Sequence, residues 1–286
     1  MISLLQLGII DYATGLRLQQ KLVDLRKEDR IGDVLLLQEH TPVITLGRNA
    51  KSRNVLASPE QLTERGVEVF ECDRGGDVTY HGPGQLVGYP IFDLRSFASH
   101  GGKRKTLGAV EFVRHLEEVL IRTCADFGVA TGRIAGLTGV WTNPPRSGER
   151  SRLAVDIEKT PTVSEAHMTL GEAAKIAAIG IHVSRGITSH GFALNVNTDL
   201  DQFQLIIPCG ITSKPVTSLA KELGHPLLLK EVANSASHNF GMVFNSGVMT
   251  IESLDALLGH SVGVPLKPPS ELRNLHKEKE EDIFWA

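Results

Sequence analysis

Cys209 stands where an apolar run, QLII (204–207), breaks at Pro208 and is followed by Gly210. A thiol on such a turn can project into a cavity. The N–H of Gly210 and the start of a following helix can stabilise negative charge on the sulfur or on an adjacent oxyanion. The same setting also suits a buried, inert thiol, and on the residues alone both readings stand. Cys124 falls on the apolar stripe of a helix and reads as core, while Cys72, two residues before Arg74 on an apolar strand, reads as packing. A thiol nucleophile needs a base or a cation beside it. His81, His182 and His190 are available by type, and Lys175 is the less common option. If KIAAIGIHV (175–183) is a strand, Lys175, Ala177, Ile179, Ile181 and Val183 share one face, which is apolar apart from the lysine. An ammonium drawn out of water gives up its proton more readily and a thiolate neighbour opposes that, so such a pair can trade a proton near neutral pH. The alternative is a strand-end lysine that reaches back to water.

A second cluster lies between two strands, in Arg74-Gly75-Gly76-Asp77-Val78-Thr79-Tyr80-His81-Gly82-Pro83-Gly84. Its four glycines permit positive φ and close approach of backbone to a ligand, and successive N–H groups in such a loop can hold an anion. Arg74, Thr79, His81 and Gln85 add side-chain donors; the plainer reading is an ordinary hairpin connection. No G-x-G-x-x-G leads a strand into a helix. Gly101-Gly102-Lys103 lacks both the earlier glycine and the following Ser or Thr of a phosphate loop, so no nucleotide fingerprint is present.

The elements that must carry these residues read as mixed strands and helices. Residues 3–10 form an apolar run, and Asp11 caps a helix with Leu18, Leu22 and Leu25 at helical spacing. VLLLQEH (34–40) and VITLG (43–47) are strand-like runs broken by Thr41-Pro42, a hairpin-like signal. Ser58-Pro59-Glu60-Gln61 starts a short helix that Gly66 ends, and VEVFECD (67–73) and QLVGYPIFDL (85–94) are further strands. The clearest amphipathic helix is 106–127, with Val110, Val113, Leu116, Leu120 and Cys124 on one stripe and Gly128 as its cap. KIAAIGIHV, GFALNV (191–196) and QLIIPCG (204–210) are strand candidates, and two helices follow near 216–223 and 229–245. Several strands follow one another without strict βαβ alternation, which predicts an α+β fold with a mixed, largely antiparallel sheet flanked by helices. The segment 143–172 is polar and rich in turn formers and reads as a surface insertion.

Charge narrows the function further. Lys and Arg number 30 against 33 Asp and Glu, a formal net charge of −3, so no basic field is present to hold a nucleic-acid backbone. The N-terminal stretch has no basic n-region and no small-residue cleavage site, and no apolar run approaches ~18 residues, so neither export nor a membrane span is expected. Three cysteines in a chain of this size fit a reduced, cytoplasmic protein.

Three segments, RGGDVTYHGPGQLVGYPIFDLR (74–95), KIAAIGIHVSRGITSHGFALNV (175–196) and IIPCGITSKPVTSL (206–219), resemble in order and context the signature blocks of the lipoyl(octanoyl) transferases. GVWT (139–142) and the leading strand–helix fit as well, so the resemblance covers most of residues 3–245 as a single catalytic domain (1–250), with 251–286 as an extension. It implies a fold like the catalytic domains of lipoate and biotin protein ligases. It also implies transfer of an octanoyl group from acyl carrier protein to a lysine of a lipoyl domain, in 2-oxoacid dehydrogenase complexes or the glycine cleavage H protein. Cys209 then resembles the residue that carries the acyl thioester, and Lys175 the group that tunes it. Arg74, Gly75, Gly76, Asp77, Val78, Thr79, Tyr80 and His81, with Ala178, Ile179 and Gly180 and with Gly191, Phe192 and Ala193, resemble the segments lining the acyl site. The donor is already a thioester, so the resemblance implies no ATP, metal or other cofactor. The long polar stretch 143–174 departs from the family's usual short connection. An ATP-dependent ligase of the same fold would not need a cysteine at 209, and a non-catalytic lipoyl-domain binder would need neither Cys209 nor Lys175.

Overall fold

The computed structural model describes residues 1–98, 106–142, 173–208, 214–252 and 256–257. The 143–172 insertion, most of the 251–286 extension and Cys209 with Gly210 therefore lie outside the described residues.

Apolar runs, buried on both faces in β2 and β6, build the strands β1 (Ile2–Ile10), β2 (Asp33–His40) and β3 (Val43–Leu46), then β4 (Glu68–Glu71), β5 (Val78–His81) and β6 (Gln85–Ile91). The strands β7 (Thr131–Ile134), β8 (Leu137–Thr142), β9 (Lys175–Ser184), β10 (Ile187–Asn195) and β11 (Val248–Thr250) follow. Eight of them form one mixed sheet in the order β11-β1-β2-β6-β10-β9-β8-β7, and three form a second, β4-β3-β5. In the large sheet β1 is parallel to β11 and β2, and every other pairing is antiparallel. The α+β expectation holds.

Helix α1 (Tyr12–Lys27) starts where the Asp11 carboxylate accepts the Thr14 N–H at 2.8 Å. α2 (Pro59–Glu64) carries the full reciprocal capping box of Ser58 and Gln61. α3 (Ala109–Asp126) and α5 (Leu229–Val243) pack on one face of the large sheet, around Leu35, Leu37, Phe92, Phe112, Leu116, Leu120 and Phe240. Each such fully buried side chain contributes roughly 2 kcal/mol of transfer free energy. On the opposite face, Leu22 and Leu25 of α1 cover Leu36, Tyr89 and Ile91. The short α4 (Leu219–Leu223) ends at Gly224 with φ +80°.

Four readings are corrected. Thr41-Pro42 does not close a hairpin: β2 belongs to the large sheet, whereas β3 starts the small one, antiparallel to β5 and parallel to β4. The segment 74–84 is not all loop, since Val78–His81 is β5. QLII is no strand either. Leu200–Leu205 is a 3₁₀ turn capped by Asp199, and Phe203, Leu205 and Ile206 pack under the small sheet with Val78 and Tyr80. On α3, Val110 is 77% exposed, and Phe112, Leu116, Val119, Leu120 and Cys124 are the buried stripe.

Candidate active site

Lys175 opens β9 directly across from Trp141 of β8, and its Nζ lies 5.2 Å from the centre of the indole ring. The side chain crosses β8 at Gly139, where a Cβ would stand 2.8 Å from Lys175 Cε and 2.5 Å from the Ala177 carbonyl oxygen. Gly139 also has φ +114°, a backbone that favours glycine. A second ammonium, Lys214, sits 5.8 Å from the same ring centre. The Lys175 N–H donates to Pro215 O at 2.8 Å and its carbonyl accepts the Thr217 N–H at 2.9 Å. On the other side, the Ile207 N–H donates to Asn54 O at 2.7 Å. The chain on either side of Cys209 is thus anchored, and Pro208, its covalent neighbour, lines a narrow cavity, about 290 Å³ with its open mouth included, together with Lys175, Asn195, Ala178 and Ala193.

That cavity shares Thr79, Ala178 and Ala193 with an adjoining cleft of about 470 Å³, open mouth included. Arg74, Gly75, Gly76, Asp77, Thr79 and His81 form one wall of the cleft, and Ala178, Ile179, Gly180, Gly191, Phe192 and Ala193 the other. The two walls touch through backbone. The Gly75 N–H donates to Ile181 O at 3.0 Å, and a Cβ on Gly180 would meet Gly75 O at 2.6 Å. Val78 and Tyr80 are not brought into the cleft. Strand alternation turns them the other way, into the core beneath the small sheet, where Tyr80 packs edge-on against Phe203. The Phe192 ring stacks on Phe240 at 6.0 Å, on the face of the large sheet covered by α5.

Arg74 is buried, and its guanidinium donates to Thr45 O and Asp77 O, both at 2.7 Å, and to Thr45 Oγ1. These are neutral oxygens, so Arg74 pins the glycine turn and leaves a positive potential at the cleft. Asp77 in turn accepts from the N–H groups of Lys51 and Val78 and from Asn54 Nδ2. From Thr45 a hydrogen-bonded chain runs through His81 (3.5 Å) to Gln85 (2.8 Å) and Asn195 (2.9 Å), and from Asn195 to the carbonyl of Thr217 (2.9 Å). Thr217 is the residue bonded to Lys175, so one polar network ties the glycine turn to the lysine strand.

The imidazoles of His81 and His40 are neutral. Burial, then the nearby His40, holds His81 down to about 3, and burial holds His40 down to about 4. The bonds of His40 fit that form: Nδ1–H donates to Ile10 O, while Nε2 accepts from Tyr89 Oη at 2.7 Å and from the Gln38 amide. At neutral pH His81 is therefore a poor base. Both values lie below the ordinary ~6.5, so the unfolded chain binds these protons first and stability falls as pH drops from ~6.5 to ~4. The expected loss is on the order of 3 kcal/mol for His40. His40→Asn should be less stable at pH 7 and lose less on acidification, read by thermal unfolding against pH. An unchanged slope would contradict neutral burial of this ring.

His190 lies at the far end of the cleft, and His182 and Asp73 line the cavity beyond it. His190 Nε2 donates to Asp73 Oδ1 at 2.7 Å, and His182 Nε2 stands 3.6 Å from Oδ2. The bond from His190 is the main cause that holds the Asp73 carboxyl down to about 2. His190 itself has φ +55°, a left-handed backbone that costs roughly 1 kcal/mol for a residue with a side chain. Gln19 Oε1 holds it there by accepting its N–H at 2.7 Å. Tyr12, between His81 and His40, also lines the cleft, and its buried hydroxyl has no hydrogen-bond partner among the described residues. Tyr12, Trp141, Gly139 and Asn195 are given no role by the sequence, although GVWT holds two of them and the 175–196 block holds Asn195.

Among the described residues no group of three His, Cys, Asp or Glu side chains could hold a metal ion, and no helix is long and apolar enough to cross a membrane. Residues 11–241 match the lipoyl protein ligase A/B catalytic domain. The octanoyltransferase of Koribacter versatilis is 53% identical over 279 residues, spanning 97% of this chain and 98% of that protein. The octanoyltransferase of Acidobacterium capsulatum is 57% identical over 259 residues, 90% of this chain and 96% of that one. Among solved structures, a bipartite lipoate protein ligase from Thermoplasma acidophilum superposes with a TM-score of 0.61 at 14% identity, covering 97% of this chain and 92% of that one. A lipoate-protein ligase A bound with ATP gives 0.56 at 14%, covering 97% and 94%. At that identity the likeness is one of fold.

Proposed function

The chain belongs to the lipoyl protein ligase A/B catalytic family as one of its octanoyltransferases, and from that premise we propose a two-step acyl transfer through a thioester on Cys209. The observation that carries the proposal is the cavity lined by both Lys175 and Pro208, which adjoins a cleft walled by alanine and glycine.

In the first step the Cys209 thiolate attacks the carbonyl carbon of an octanoyl thioester borne by acyl carrier protein. The carbonyl π pair moves onto oxygen. As the tetrahedral oxyanion collapses, the C–S bond to the carrier breaks, and the leaving thiolate takes a proton from the Lys175 ammonium. Exchange of one thioester for another is nearly isoergic. In the second step a neutral lysine amine of a lipoyl domain, such as those of 2-oxoacid dehydrogenase complexes or the H protein, attacks the acyl group on Cys209. Lys175, now neutral, takes the proton that the amine gives up, and the Cys209 thiolate leaves. Amide formation drives the sequence forward and the Cys209–Lys175 pair returns to its starting state. A well-placed N–H donor at each oxyanion is worth ~3 kcal/mol. Each methylene of the acyl chain buried in the cleft contributes about 0.8 kcal/mol. Arg74 supplies positive potential, and the small residues Ala178, Gly180, Gly191 and Ala193 leave room for the chain.

The catalytic unit in this reading is 1–250, with 143–172 an insertion outside the chemistry. Three cysteines in a chain large enough to fold without disulfides fit a reducing setting, and the cytoplasm is the one this reading takes. The test supplies purified chain and a lipoyl domain with octanoyl-carrier protein, or with free octanoate and ATP. Octanoylation of the lipoyl domain is expected in the first mixture alone. Modification in the second, without carrier, would favour an adenylating ligase.

A further inference from the structure

Three cavities lie in line along the β9–β10 hairpin. The first holds Lys175 and Asn195, the second Gly180 and Gly191, and the third His182 and Ser189. Neighbours in the line share residues: Ala178 and Ala193 border the first two, and His190 borders the last two. Regular alternation along β10 would turn His190 away from the face that carries Ser189 and Gly191. Its positive φ brings the ring back between the cavities, where the bond to Asp73 holds it edge-on to Tyr89, with ring centres 6.3 Å apart.

We propose that the His190–Asp73 pair is the end wall of the acyl cleft and sets the length of chain that the enzyme transfers. The inference rests on the reading of the cleft as the octanoyl site. From Ala193, where the lysine cavity meets the cleft, to His190 is three strand residues, about 10 Å. An extended eight-carbon acyl group spans seven C–C bonds, roughly 9 Å. Its methyl end therefore meets the imidazole. A longer chain would have to displace the ring, break its bond to a carboxylate, and enter a mostly polar cavity where Asp73, His182, Lys27 and Ser189 outnumber Leu16 and Val23. Methylenes gain less there than in the cleft, and the ion they desolvate resists. The wall is selective by polarity as well as by bulk.

His190→Gly removes the ring and keeps a residue at ease with φ +55°. Asp73→Leu, at a half-exposed side chain, leaves the ring and removes its anchor. Both are compared with the unsubstituted enzyme on octanoyl, decanoyl and dodecanoyl carrier protein, reading kcat/KM for each. The dodecanoyl-to-octanoyl ratio is expected to rise about tenfold or more in His190→Gly, and by a smaller factor in Asp73→Leu. A purely structural role would lower all three rates together and leave the ratio where it was. Retained octanoyl transfer with an unchanged ratio in both variants would overturn the wall. Failure of the unsubstituted enzyme to transfer octanoyl at all would overturn the underlying reading, and this inference with it.

Discussion

Cys209→Ala is expected to lower transfer from octanoyl-carrier protein by at least ~10³-fold, because the variant has no atom that can carry the acyl group between two proteins. The far-ultraviolet circular dichroism spectrum should be unchanged. Cys209→Ser should fail nearly as fully: a hydroxyl is a far weaker nucleophile at neutral pH, and Lys175 suits a thiol's proton better. Turnover retained within a few-fold in the alanine variant would remove the thioester and leave direct attack of the acceptor lysine on the carrier-bound acyl group.

Lys175→Met is the second large effect, with acylation slowed by ~10²–10⁴-fold, the range that a positioned acid–base group supplies. Methionine keeps much of the stem that lies over Gly139 and Trp141 and removes the ammonium. Two readouts separate its chemistry from packing. Without the ammonium the Cys209 thiol should lose its proton at higher pH, so its alkylation by iodoacetamide should need more alkaline solution. Lys175→Arg, which keeps a cation but gives up its proton poorly, should restore thiol reactivity without restoring turnover. If Lys175→Met changed only KM for the carrier and left the alkylation profile in place, the lysine would be a docking residue. The neutral state of His81 bears on this: a ring held down to about 3 has little basicity to take over the proton.

Where local pattern and tertiary context agreed, the fold was legible. The runs 175–183 and 191–196 were legible as strands and fall in β9 and β10; that the two pair as a hairpin, and that β10 begins at Ile187, was not. The Asp11 cap and the Ser58–Gln61 box marked two helix starts. Misreadings arose where a distant partner decided. Thr41-Pro42 has the local chemistry of a hairpin turn, yet the partners of β3 are β4 and β5, so the chain changes sheets there. The run 204–207 is apolar because Leu205 and Ile206 fill the floor of the small sheet, a job that a 3₁₀ turn does as well as a strand.

The site divides in the same way. The glycine turn and the Ala178–Gly180 and Gly191–Ala193 segments were legible through composition and resemblance, and they meet in one cleft. Val78 and Tyr80 were carried along as part of a contiguous block, and strand alternation separates them from it. Trp141 under Lys175, the orphan hydroxyl of Tyr12 and the turned backbone of His190 depend on residues far apart in the chain, and no spacing in the sequence announces them.

Incubating the chain with octanoyl-carrier protein, with no acceptor present, and weighing it intact tests the thioester most directly. The prediction is a gain of one octanoyl group, removable by hydroxylamine, and peptide mapping that places it on Cys209. Steady transfer to a lipoyl domain with no such adduct, or an adduct on another residue, would contradict it.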